Sequence, residues 1–383
     1  MKFANGYRSL IFFGLALLAM ASGALYAQDA APCPFADDSV IVYHSPTTFG
    51  ASGAIQEVWN DSGVQDAAKT VFDKIDSALK EAREKETSER KKSAFDYVAS
   101  IFTDATHDSS YARSVFDCYF RYVDGVVLGC EQVENIKSAD DLAKSLSLTY
   151  IINTDPSGIK IDKILKKGDE YEIVKSTDAE LVGKVFIKDG GEVKGEVFFG
   201  GAKVKDMNEF VIVFSASQGI VEKKLERFQN SAAFIANRLG DGKVCSEYIV
   251  KPAVFERALA ELSKKSDDRA KVACEMLKKV KSYGLIVTAV DSSLVVSSRL
   301  EAVDAEAAKS FVDLAVGGVA AAKLKIGDSK DEGAKLALNV LNQTNFELAA
   351  DEPVAVGTTK IESSVIYGAL SIAWKEAKKQ IEK

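Results

Sequence analysis

The clearest alternation of apolar and polar positions lies between Tyr283 and Lys323. Two β-rich runs, Leu285 to Val290 and Leu294 to Leu300, flank the polar turn Asp291-Ser292-Ser293 and predict a hairpin. A helix follows directly. Asp304 stands at its N-cap position, Glu306 suits its first turn, and Ala307, Phe311, Leu314, Ala315, Gly318 and Ala322 recur at helical spacing. Such a stripe must bury itself against something, and the hairpin is the nearest surface. The expected product is a sheet-plus-helix layer of the α+β class.

Three markers place a weaker copy of this plan earlier in the chain. The first is a short strand, then Pro-x-x-Phe opening a helix: Ser39 to Tyr43 before Pro46 and Phe49, and Tyr248 to Val250 before Pro252 and Phe255. The second aligns a hairpin turn at Asp124-Gly125 with the Asp291 turn, each followed by a helix containing Ala-Lys-Ser, at Ala143 to Ser145 and at Ala308 to Ser310. The third is a closing strand and helix, Glu209 to Val213 and then Ile220 onward, against Glu352 to Val356 and then Ser363 onward.

These markers predict an internal duplication of residues 36 to 230 and 243 to 383. Each copy reads as a ferredoxin-like, split βαβ unit, written β-α-β-β-α-β with an antiparallel sheet, the two joined by a linker at 231 to 242. Both copies are then expected to bury the same sheet face. The first carries two insertions: a helical one at about 61 to 104, whose charge run Lys80 to Lys92 reads as a solvated face, and a β-meander at about 159 to 204.

Residues 1 to 27 change where this fold is expected to reside. Lys2 and Arg8 precede an apolar core from Leu10 to Ala21, followed by small residues through Ala24 and Ala27, the anatomy of a secretory signal cleaved after one of those alanines. The core is shorter than the roughly 20 residues of a spanning helix, and no later stretch is long and apolar enough to span. The expected mature chain is periplasmic or secreted. Losing Lys2 and Arg8 makes a net charge of −7 more negative still, and no basic stripe is interleaved with aromatics, so nucleic acid is excluded as a partner.

The chemistry-bearing residues are few. Five cysteines are too sparse for a cystine framework, and none has metal-knuckle or redox spacing. A three-residue hairpin loop at Val123-Asp124-Gly125 would set Cys118 opposite Cys130 and permit one disulfide; two buried thiols are the competing reading. His44 and His107 are the two histidines, so any His-dependent chemistry must use one of them, and neither lies in a catalytic motif. The acid pairs Asp140-Asp141 and Asp267-Asp268 sit where helices are expected to start. No dinucleotide, triphosphate or α/β-hydrolase signature occurs, so no cofactor is expected. The sequence therefore points to a non-enzymatic exported module that binds a protein, an envelope component or a small molecule. The alternatives are a periplasmic hydrolase with a divergent carboxylate site and a carrier of an apolar ligand.

Overall fold

The computed structural model describes residues 35, 37–87, 89, 92, 123–153, 166–189, 192–204, 208–230, 244–264, 268–327, 329, 331–350 and 352–381. Strand β1 (Asp38–His44) leads into α1 (Pro46–Gly50), where Ser45 accepts the Thr48 amide as N-cap and Pro46 takes the first turn. Helices α2 (Gly53–Trp59) and α3 (Ser62–Lys85) follow. Strand β2 (Val123–Glu131) is joined through a 3₁₀ turn (Val133–Asn135) and α4 (Ala139–Ser145) to β3 (Leu146–Ile152). A meander of β4 (Tyr171–Ser176), β5 (Glu180–Asp189) and β6 (Glu192–Lys203) then precedes β7 (Phe210–Ser215) and α5 (Gln218–Asn230).

The second half begins with β8 (Val244–Val250), α6 (Pro252–Leu262) and α7 (Asp268–Leu277). The predicted hairpin is present as β9 (Val280–Val290) and β10 (Ser293–Ala302), with Asp291 in the left-handed region at φ 50°. Helix α8 (Ala305–Ile326) starts on its predicted cap, Asp304 Oδ1 accepting the Ala307 amide at 2.7 Å. Helix α9 (Glu332–Asn342), β11 (Thr344–Leu348), β12 (Val354–Glu362) and α10 (Ser363–Ile381) complete the chain.

The twelve strands of the described residues form one antiparallel sheet in the order β11-β12-β10-β9-β8-β1-β2-β3-β7-β6-β5-β4. This corrects the ferredoxin-like expectation. A split βαβ unit separates its first two strands by a third, whereas here β1 pairs directly with β2 and β8 with β9. The connections supply the physical reason. Between β8 and β9 the chain makes two helices packed on each other, α6 and α7, which carry it out and back to the end it left. A single crossover helix would have delivered it to the far end.

Two of the three repeat markers occupy corresponding places. Pro46 and Pro252 each open a helix after the strands β1 and β8 that pair at the centre of the sheet, and β7 with α5 corresponds to β12 with α10. The Asp124 marker does not. Asp124 is the extra residue of a bulge inside β2, between Val123 paired with Ile152 and Gly125 paired with Ile151. Without a hairpin turn there, the geometric argument for a Cys118–Cys130 bridge is lost. Cys118 lies outside the described residues, and Cys130 is buried in β2. The predicted meander is present, but it extends the common sheet rather than standing apart from it.

The two halves bury opposite faces. In an antiparallel ladder paired residues share a face, and neighbours along a strand alternate. The row through Ile41 runs to Ile249, Gly284, Arg299 and Val356; the adjacent row through Val40 runs to Val250, Tyr283, Leu300 and Ala355. Ile41 and Ile249 belong to the first-half core with Val221, Leu225 and Phe228 of α5. Leu300 and Ala355 belong to a second core with Ala307 and Ala308 of α8, on the other side of the sheet. Helix α2 crosses over to that side, where Ala54 packs with Leu294, Cys245 and Ile366.

Candidate functional site

Helix α5 carries the most concentrated buried charge among the described residues. Its inward stripe is Ile220, Val221, Lys224, Leu225 and Phe228, the i, i+1, i+4, i+5, i+8 spacing of a core-facing helix with a lysine in the middle. Lys224 is fully buried, so its ammonium must find partners inside the protein. It donates to Asp38 Oδ2 at 2.6 Å, lies 3.6 Å from Glu131 Oε1, and sits 4.5 Å from the centre of the Phe35 ring. An outer ring repeats the pattern: Lys223 reaches Glu131 Oε2 at 3.4 Å and also pairs with Asp37, and Arg227 donates to Asp37 at 2.7 Å.

Local backbone irregularities bring these acids together. A bulge at Ser39 pairs Asp38 with Glu131 rather than letting the alternation turn it away, so both carboxylates face α5. Gly129 makes room: a Cβ there would stand 2.2 Å from Asp38 Oδ1 and 2.9 Å from Ser147 Oγ. Burial pushes the Asp38 carboxyl above its usual range, against the opposing pull of Lys224. At Asp37 desolvation also disfavours ionisation, but the bonds and charges of Lys223 and Arg227 outweigh it and hold the carboxyl below its usual range.

Beside this network a cleft of about 360 Å³ opens between the end of β2, α4 and the start of α5. Glu131 lies in its wall. Gln132, held in the left-handed region at φ 49°, and Asn135, which donates to the Gln132 side chain at 3.2 Å, line one side. Helix α4 contributes Lys144 and its capping box, in which Ser138 accepts the Asp141 amide and the Asp141 carboxylate accepts the Ser138 amide. The first turn of α5 contributes Gly219 and Ile220, with Lys223 one turn on. The lining offers donors, acceptors and charges of both signs, and it contains no histidine or cysteine.

Of the residues singled out from sequence, Asp141 of the Asp140-Asp141 pair lines the cleft, and the others lie elsewhere. Ala24, Ala27 and His107 are outside the described residues. His44, at the end of β1, has Nδ1 2.8 Å from Ser246 Oγ on β8 and its ring edge-on to Phe49 at 5.6 Å. Burial lowers its pKa. This geometry stitches the two central strands, and no hydrogen bond joins the imidazole to a carboxylate among the described residues. Asp124 accepts instead from Thr47 at 3.1 Å. The nearby Cys245 thiol is pushed by burial up to about 11, which keeps it protonated and unreactive. Among the described residues no group of His, Cys, Asp and Glu could hold a metal ion.

Lys224 and Glu131 were missed in the sequence, yet a signal exists: a lysine at the centre of an apolar helical stripe, in a chain with an Asp pair at the start of an apolar strand. No protein-family model matches the chain, and neither does any curated protein. Two solved structures resemble it, crystal forms I and III of TP0453, each at 10% identity. The first covers 94% of this chain and 97% of that one with a TM-score of 0.32; the second covers 93% and 97% with 0.33. Likenesses at this level carry neither fold nor function from that protein to this one. No helix among the described residues is long and apolar enough to cross a membrane.

Proposed function

We propose that this is an exported, non-enzymatic binding protein of the periplasm or cell exterior, and that it takes a small polar ligand in the cleft between α4 and α5. The observation that carries the reading is the cleft itself: a polar concavity at the low end of the ligand-site size range, walled by an ionic network that fixes its shape. The signal-like segment at residues 1 to 27 supports export.

The paired acids Asp38 and Glu131, with Asp38 shifted toward its protonated form, are what favour a hydrolase instead. Against it, Asp38 is fully buried and engaged by Lys224, so it cannot reach a substrate proton. Calorimetric titration of the purified mature protein against a panel of polar solutes, with Lys144→Glu as the cleft control, tests binding. A parallel screen for ester, peptide and phosphoester hydrolysis tests the rival. Absence of any Lys144-sensitive binding, or turnover abolished by His44→Ala, would refute the proposal.

A further inference from the structure

We infer that the open edge of β11 is a self-association surface whose partner is a second copy of this chain, bound edge to edge about a two-fold axis so that the antiparallel sheet continues across the seam. The surface lies in the second half of the sheet, strands away from the cleft, and the inference is independent of the ligand reading. Among the described residues the sheet ends at β4 on one side and at β11 on the other. Each edge strand keeps one row of amides and carbonyls that no neighbouring strand takes up, a template for another extended chain. The two edges are not alike. Strand β4 carries a bulge between Ile173 and Lys175, an irregularity that guards an edge against pairing. Strand β11 has none: Thr344 to Leu348 pair with Thr359 to Ala355 in unbroken register.

The residues along β11 complement themselves. Opposed residues of an antiparallel pair turn their amides and carbonyls both inward or both outward, so a two-fold pairing centres on a residue and not between two. Phe346 is the middle of the five residues and gives the longest overlap. Asn345 of one copy then stands opposite Glu347 of the other, and Thr344 opposite Leu348, each twice. An amide facing a carboxylate sets donor against acceptor, and no like charges are opposed. Asn345, Glu347 and Leu348 are exposed and accessible to a second copy. Phe346 leans away from the open edge, its ring lying over Gly357 of β12, where a Cβ would stand 2.6 Å from Cε1. The surface beside the edge is apolar. Helix α8 packs on β11, β12 and β10, yet its Leu314, Val316 and Leu324 stay 50%, 50% and 83% exposed. A two-fold axis normal to the sheet reverses every direction in its plane, so it sets a second α8 antiparallel to the first in the same layer. A stable interface of roughly 800 Å² per partner needs more than a five-residue edge, and this helix surface adjoins it.

Sedimentation equilibrium of the mature protein, from micromolar to submillimolar concentration, should show monomer and dimer in exchange. Asn345→Asp opposes like charges twice and should weaken the dimer about tenfold. Adding Glu347→Lys to that variant should restore it. Both positions are exposed on an edge strand, so circular dichroism should show the variants folded. Val174→Lys, at the β4 edge, should leave the dimer unchanged. A chain that stays monomeric throughout overturns the inference, and so does a dimer that Asn345→Asp leaves intact. In the second case, loss of the dimer in Leu324→Glu or in Val174→Lys would place the contact on α8 alone or on β4. Failure of Glu347→Lys to rescue would overturn the register centred on Phe346.

Discussion

The two halves of the sheet solve the same problem by different means. In the first half α5 lies across β6 and β7 and joins a core of Ile41, Val127, Val211, Val213 and Phe228 to a buried ionic network. In the second half α8 covers the opposite face with Ala307, Ala308, Phe311 and Val312 and α10 with Ile366, against Leu294 and Leu300 of β10, and no lysine or arginine is buried there among the described residues. Apolar packing tolerates small shifts. An ammonium held by two carboxylates does not, because its stabilisation depends on distance and its desolvation cost is left uncompensated if a partner is removed. The first half is therefore the rigid one, and the cleft sits against it.

The largest test of this difference is Lys224→Met, which strands Asp38 and Glu131 in the interior. Urea unfolding should show a loss of about 3–5 kcal/mol. Removing the acids as well, with Asp38→Asn and Glu131→Gln, should recover part of it. A loss below 1 kcal/mol would mean that the network adds little to the first half.

A pair of glycines gives a finer comparison. In Gly129→Ala the new methyl meets the Asp38 carboxylate, which Lys224 pins, and about 1–3 kcal/mol should be lost. In Gly357→Ala the methyl meets Ser298 Oγ and the ring of Phe346, at 2.1 and 2.6 Å. Phe346 belongs to the short edge strand β11 and can move, so the cost should be smaller. Thermal melts of the two variants should rank them in that order; the reverse order would contradict the proposed difference in rigidity.

At the seam between the halves, Ser246→Ala removes the partner of His44 and should cost about 0.5–1.5 kcal/mol at neutral pH. The smallest effect is one of pH. Burial holds the His44 pKa in the folded state below the ordinary histidine value of 6.5, so the unfolded chain binds more protons as pH falls below 6.5. Stability from the neutral imidazole is complete above 6.5 and is lost as pH falls toward the folded pKa. His44→Gln lacks this loss. Its melting temperature should gain on that of the unsubstituted protein between pH 7.5 and 5.5, and parallel curves would remove His44 from the account.

Local features of this fold were legible in the sequence. The β9–β10 hairpin, the Asp304 cap, the helix starts at Pro46 and Pro252 and the β4–β6 meander each depend on a few neighbouring residues. Strand order was not legible, because it turns on whether one helix or two separates β8 from β9. Asp268 does begin α7, but an acid at a helix start does not reveal that the chain has reversed. Asp124-Gly125 resembles a hairpin turn because bulges and turns draw on the same residues. Lys224 was overlooked for a different reason: a lysine on a helix is usually solvated, and the partners that make its burial tolerable, Asp38 and Glu131, come from strands that lie far earlier in the sequence.

The pairing of β1 with β8 also sets the order in which the molecule can form. Val40 meets Val250, so the middle of the sheet closes about 200 residues of chain, among the slowest kinds of contact to establish. During synthesis β1 is made long before its second neighbour, and that edge remains open to other extended chains in the meantime. The segments of the first-half core other than Ile249 are complete by Asn230, and the β9–β10 hairpin is local, so both can nucleate early. The seam comes last. Refolding should then end in a slow phase that Ser246→Ala lengthens and Gly357→Ala leaves alone, with aggregation most severe while β1 waits for β8.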